Sequence, residues 1–242
     1  MPIIDDLLNT LQEDFPIRSI LVGAHWTAVS SRGCGLASTI LPNRPHPATH
    51  VRDAGSLLKK SALELAQYAR SDDPLEASIG VAAINSLLPV NEENAVEMNA
   101  SEVLASAGKN STVALVGHFP FIPTLREKVK TLWVIEQHPG EGEYPSGAAG
   151  ELIPTADIVA LTGSCLINHT MDSLLALSKP GAVVMILGPS TPLSPLLFNY
   201  GVTYLSGSII VDEEAVLRTV SQGANFKQVK GVRLITMQKN RN

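Results

Sequence analysis

Between residues 113 and 205 the chain returns again and again to one figure: a short uninterrupted apolar run, a turn, then a helical stretch. The runs fall at 113–116, 132–135, 158–161 and 182–187, and Thr203 to Leu205 can form a fifth strand. None alternates apolar with polar. A strand that is apolar at every position must be buried on both faces, and a parallel sheet covered by its own crossover helices provides that burial. Helical signals fill the gaps, at 125–129, near Ala148 and from Thr162 to about Leu177, and Asp212 stands where a last helix needs its N-cap. The expected fold class of this half is α/β, a Rossmann-like parallel sheet with helices on both faces.

The first ninety residues read differently. Ile3, Ile4, Leu7, Leu8 and Leu11 share one helical stripe, predicting an amphipathic helix that ends near Asp14. Residues 17–30, rich in Ile, Val, Thr and Trp, precede a Ser-Ser-Arg-Gly turn and the run 34–41, which predicts an antiparallel hairpin. Pro42, Pro45 and Pro47 impose a loop. Leu58, Ala62, Leu65, Ala66 and Ala69 fall on one helical face, and after the start signal Asp72-Asp73-Pro74 residues 75–88 are apolar almost all round, as in a buried helix. This is an α+β pattern. The expectation is two domains, 1–100 and 101–242, parting near residues 91–110.

Composition narrows the function. Of 242 residues, 45% are hydrophobic and 17% charged, enough for a substantial core. The net charge of -5, with no basic run, argues against nucleic acid or an anionic membrane as partner. No apolar run approaches the roughly 20 residues that span a bilayer. Asp5, Asp6, Glu13 and Asp14 stand where a signal peptide needs positive charge, and Cys34 and Cys165 make no disulfide framework, so a cytoplasmic protein is expected. Homodimerisation is the commonest assembly for such a chain.

In an open parallel sheet, ligands bind beyond the C-terminal ends of the strands. Here those ends carry Gly117-His118-Phe119, Glu136, Thr162-Gly163-Ser164 and Gly188-Pro189-Ser190-Thr191. Glu136 lies 19 residues past Gly117, where an acidic side chain in nucleotide-binding domains holds ribose hydroxyls; it could equally be a surface carboxylate at a strand end. The first turn lacks G-x-G-x-x-G, and neither a phosphate loop nor a G-x-S-x-G elbow is present. His118 could ligate a metal or act as general acid or base, or bond backbone in its turn. The Thr162-Gly163-Ser164 turn can present hydroxyls and N–H groups to an anion. Asn168 could bond a ligand or local backbone. Cys34, His46 and His50 form a loose Cys…His-x-x-x-His set that would suit zinc, nickel or cobalt, or are scattered loop residues.

Glu136…Pro139…Tyr144-Pro145, Ala156-Asp157-Ile158-Val159, the run from Thr162 to Thr170, and Gly188-Pro189-Ser190-Thr191-Pro192-Leu193, preceded by Gly117-His118-Phe119-Pro120, resemble a heavy-metal-chelation family of domains of unknown function. The resemblance covers about residues 111–225. It implies a smaller N-terminal domain similar to the enolase N-terminal domain, compatible with Gly33-Cys34-Gly35-Leu36-Ala37 and Ala82-Ala83-Ile84-Asn85. It also implies a cleft between the domains and a role in binding a metal or metallocofactor, chelatase-like or in cofactor synthesis. Asn85 would reach that cleft from the first domain, or is a buried amide bonded to backbone. Where the family pattern has Asn-Gly-Thr this chain has Asn168-His169-Thr170; His169 adds a ligand beside His118 or points to solvent. The alternative function is a small-molecule enzyme or sensor binding a nucleotide-like, adenosyl ligand at the strand ends.

Overall fold

The computed structural model describes residues 2–42, 51–89 and 95–239. The apolar runs become β5 (Thr112–Val116), β6 (Thr131–Glu136), β8 (Ile158–Thr162), β9 (Val183–Leu187) and β10 (Tyr204–Ile210), all parallel. Why they are continuous is visible in their packing. Ala114, Ile135, Val159, Leu161, Val184, Ile186 and Leu205 enter one core, while Val113, Leu115, Leu132, Val134, Ile158, Ala160, Met185 and Leu187 enter another on the opposite face. Successive side chains point to opposite faces, so burial on both demands apolar residues throughout.

One core is closed by α1 (Pro2–Thr10), α2 (Ala62–Ala66) and α3 (Pro74–Leu87), together with the start of α7 (Met171–Ala176). The other is closed by α4 (Ala100–Gly108) and α5 (Ile122–Arg126). α6 (Ala149–Leu152) lies between β6 and β8, and α8 (Glu213–Ser221) follows β10. Start signals act as their chemistry requires. The Asp73 carboxylate accepts from the N–H groups of Leu75 and Glu76 with Pro74 inside the first turn, Asn99 and Glu102 form a capping box on α4, and Asp212 accepts from Ala215.

The large sheet is mixed and longer than the runs predict. β7 (Tyr144–Pro145) extends it beyond β6, and β11 (Val232–Gln238) and β4 (Ala95–Val96) add antiparallel strands beyond β10, giving the order β4-β11-β10-β9-β8-β5-β6-β7. The purely parallel expectation is corrected here. Residues 232–238 alternate exposed and buried positions only in part and include Arg233 and Gln238, so no apolar run marks them. Among the parallel strands the order reverses between β5 and β8, the point at which such sheets open a crevice.

Residues 17–30 do not make one strand but two, β1 (Ser19–Val22) and β2 (Trp26–Ser30), because the Gly23 N–H turns back onto the Trp26 carbonyl. With β3 (Cys34–Ser38) they form a three-stranded antiparallel sheet. Val29 and Ala37 face α3, while Ala28 and Leu36 face Val216 and Val220 of α8. Gly35 permits the close approach to α3: a Cβ there would lie 2.2 Å from the Ala82 carbonyl oxygen. The first helix stops at Thr10 instead of near Asp14, and the stretch from Leu57 is a single α-helix only over Ala62–Ala66, flanked by 3-10 turns at Leu57–Lys59 and Gln67–Arg70. The expected helix from Thr162 to Leu177 is likewise broken, into a 3-10 turn (Gly163–Leu166) and α7, with His169 between them at φ 60.

Candidate functional site

A cavity of about 950 Å³ opens at the C-terminal ends of β5, β6, β8 and β9. The strand ends reach it through turns that favour glycine: Gly117 and Gly188 both sit at positive φ, 111 and 101. Its floor carries Gly117, His118, Phe119, Glu136 and Gly188, and one side is made by Thr162, Ser164, Asn168 and Ser190. Trp26 and Ser38 of the small sheet, with Ile40 just after it, continue the lining, and Asn225, Phe226 and Lys227 complete it. Nine residues anticipated at the strand ends thus converge on one space.

Four anticipated residues do not line it. Gly163 lies behind the wall, where a Cβ would come within 2.6 Å of the Thr191 N–H nitrogen. Thr191 and Asn85 border a separate cavity of about 80 Å³ beneath, shared with Cys34. Asn85 donates through Nδ2 to the Leu36 carbonyl at 2.8 Å, so its amide ties α3 to β3. His169 Nε2 lies 2.9 Å from the Ala69 carbonyl oxygen and must donate to it, holding the 167–170 turn against the 67–70 turn.

His118 has a partner that no periodicity announces. Its Nδ1 is 2.9 Å from Oε1 of Glu143, whose side chain is only 9% exposed although His118 is open to the cavity. The Gly140 N–H donates to the other carboxylate oxygen at 2.8 Å; that bond, with the His118 contact, holds the Glu143 carboxyl below the usual carboxylate range despite its burial. An ionised Glu143 makes Nδ1 the protonated nitrogen and leaves Nε2 as an acceptor without a partner among the described residues. Glu143 sits in a Gly/Pro-rich loop, where only its separation from His118 in space, not in sequence, brings them together.

Glu136 ends β6 with Oε2 accepting from the Gln137 N–H at 2.8 Å. Ser38 of β3 meets both strand-end turns: Ser38 Oγ is 2.9 Å from Ser164 Oγ and 3.1 Å from Ser190 Oγ, and its N–H donates to Ser190 Oγ at 2.8 Å. Aromatic surface flanks these groups. Trp26 and Phe226 pack with centroids 5.3 Å apart, and Phe119 stacks on Phe121 at 5.2 Å. Ser38, Trp26 and Glu143 are the site residues that strand-end reasoning misses.

Donors for a bare metal ion do not gather here. Among the described residues no group of three or more His, Cys, Asp or Glu side chains is placed to hold one. His118 and His169 do not share the cavity, and His46 and His50 lie outside the described residues. Burial pushes both thiols, Cys34 and Cys165, up to about 11, so neither is a thiolate at neutral pH. What the cavity does offer is one imidazole oriented by a carboxylate within a large, mostly apolar space.

A family model described as "Putative heavy-metal chelation" (DUF364) matches residues 99–238, and a second of the same description (DUF4213) matches residues 4–88. The chain is 26% identical over 239 residues to an uncharacterised protein of Methanocaldococcus jannaschii, covering 93% of this chain and 91% of that one. The crystal structure of a DUF364 protein of unknown function from Desulfitobacterium hafniense superposes with a TM-score of 0.85 at 29% identity over 98% of each chain. One from Pyrococcus horikoshii, at 22% identity, shares the fold with a TM-score of 0.83 over 98% of each chain. With one model spanning more than half of its length, the chain belongs to the DUF364 family, whose description is "Putative heavy-metal chelation".

Proposed function

We propose that this protein binds an organic small molecule that carries its metal as a chelate, and that His118 supplies the one protein ligand to that metal. The reading rests on a single observation: the 950 Å³ cavity combines a largely apolar wall with one carboxylate-backed imidazole. A space of that size suits a drug-sized ligand, for which pockets run from about 300 to 1,000 Å³. A bare ion would want three or four donors; a chelated one arrives with most of its coordination filled. On this reading the chain divides into an enolase N-terminal-like unit (1–100) and a Rossmann-like unit (101–242), with the ligand in the cleft between them. A chelatase-like turnover would use the same Nε2 as proton acceptor.

Native mass spectrometry of untagged protein purified without chelator, with elemental analysis of the same sample, tests this. The expected result is one metal and one organic mass bound together, both lost in His118→Ala. Stoichiometric metal with no organic component, or retention unchanged in His118→Ala, overturns it.

A second reading is favoured by Glu136, which closes β6 next to the β5/β8 reversal. There it would hold the ribose hydroxyls of an adenosyl-type ligand. A retained adenosyl mass without metal would select it.

A further inference from the structure

The three serines on the cavity wall form a hydrogen-bonded chain whose direction is fixed by burial. The side chain of Ser190 is 2% exposed and its Oγ already accepts from the Ser38 N–H. Among the described residues its own proton has one acceptor, Ser38 Oγ at 3.1 Å. Ser38, having accepted there, donates onward to Ser164 Oγ at 2.9 Å. A hydroxyl carries one proton, so that of Ser164 is left over, on a residue that lines the cavity. The reverse order would leave the Ser190 proton without a protein acceptor among the described residues, on a side chain that is nearly covered, at the cost of an unmade bond.

One turn further on stands Asn168, whose N–H donates to the Ser164 carbonyl at 3.3 Å. Thr170 N–H lies 3.3 Å and Thr170 Oγ1 2.7 Å from the Asn168 amide oxygen. A backbone N–H can only donate, so the atom it meets is the oxygen. Nδ2 therefore points elsewhere, with both hydrogens unclaimed among the described residues, and Asn168 also lines the cavity. Two neighbouring side chains thus present donors, and the one amide oxygen between them is already filled by Thr170.

From this we infer that Ser164 and Asn168 form a paired-donor subsite that recognises a deprotonated oxyanion, carboxylate or phosphate, on the ligand. Ser38 and Ser190 are positioning residues that aim the Ser164 proton. The inference rests on the cavity reading above and adds to it: the ligand is an organic anion, with its apolar body along Trp26, Phe119 and Phe226 and its charged end on the serine wall.

Isothermal titration calorimetry of the full chain with 2-naphthoate, 2-naphthyl phosphate and 2-naphthamide tests it. The three share one ring system; the amide replaces an acceptor-only group with one that also donates. At least one anion should bind roughly tenfold more tightly than the amide, and which anion does so separates carboxylate from phosphate. Ser164→Ala, and independently the exposed Asn168→Asp, should erase that preference. Ser190→Ala should narrow it to about threefold by weakening the anions more than the amide, a split that general loosening of the wall would not produce. Leu177→Trp, which puts a bulky indole into the cavity lining, should abolish binding of all three. If all three bind, Leu177→Trp blocks them and the anions hold no advantage, the subsite is wrong and the cavity reading stands. If none binds, or Leu177→Trp changes nothing, the cavity reading falls and the inference with it.

Discussion

Single side chains carry the sharpest tests. Glu143 fixes the tautomer of His118, so Glu143→Gln should weaken metal or chelate affinity roughly 10-fold, the lower end of what orienting partners contribute. Affinity measured beside a thermal melt separates this from unfolding. Glu76 is a different case: its side chain is 4% exposed, and it accepts from the Arg52 N–H, the Arg52 guanidinium and the Ser71 hydroxyl. Burial pushes its carboxyl up, but the bonds from Arg52 and Ser71 outweigh it and leave the group below its ordinary value. A carboxyl depressed in the folded state adds stability above its unfolded value, near 4.5, and loses it as pH falls through the folded one. The melting temperature should therefore drop steadily below about pH 4.5, and Glu76→Gln should flatten part of that drop. Cys165, 1% exposed with its thiol raised to about 11, should resist alkylation at pH 8 until the chain unfolds.

At the scale of elements, legibility followed burial. Strands that are apolar on both faces were readable from their continuous runs, and α3 from its start signal and its apolar circumference. Edge elements were not: β4 and β7 are two residues each, and β11 mixes Arg233 and Gln238 with its apolar positions. The break between the 163–166 turn and α7 was also hidden. It follows from a tertiary contact, the His169 bond to Ala69 across 100 residues of chain, which no local propensity encodes. His169→Ala should cost about 1 kcal/mol in chemical denaturation, with the lost bond as the cause. α1 carries four buried side chains, Ile3, Ile4, Leu7 and Leu8. Leu7, fully buried among them, should cost about 2–5 kcal/mol when replaced by Ala.

Over the whole molecule, the site was half legible. Parallel strands bring their C-terminal ends to one rim by geometry alone, so His118, Glu136, Ser164 and Ser190 could be grouped without coordinates. The part of the lining from the small sheet could not be foreseen, because Ser38 and Trp26 belong to a sheet whose docking depends on packing between distant segments. That docking is the feature with the widest reach. The small sheet is gripped on one side by α3 and on the other by α8, and Arg18 of the first segment pairs with Glu213 of α8 at 2.7 Å. A layer clamped between two such jaws cannot swing away from the strand ends without baring both of its faces at once. The mouth of the cavity therefore has a fixed gauge, set when the chain folds. Admission of a guest falls to its lips, the segments around Glu143 and Phe226, and not to a hinge.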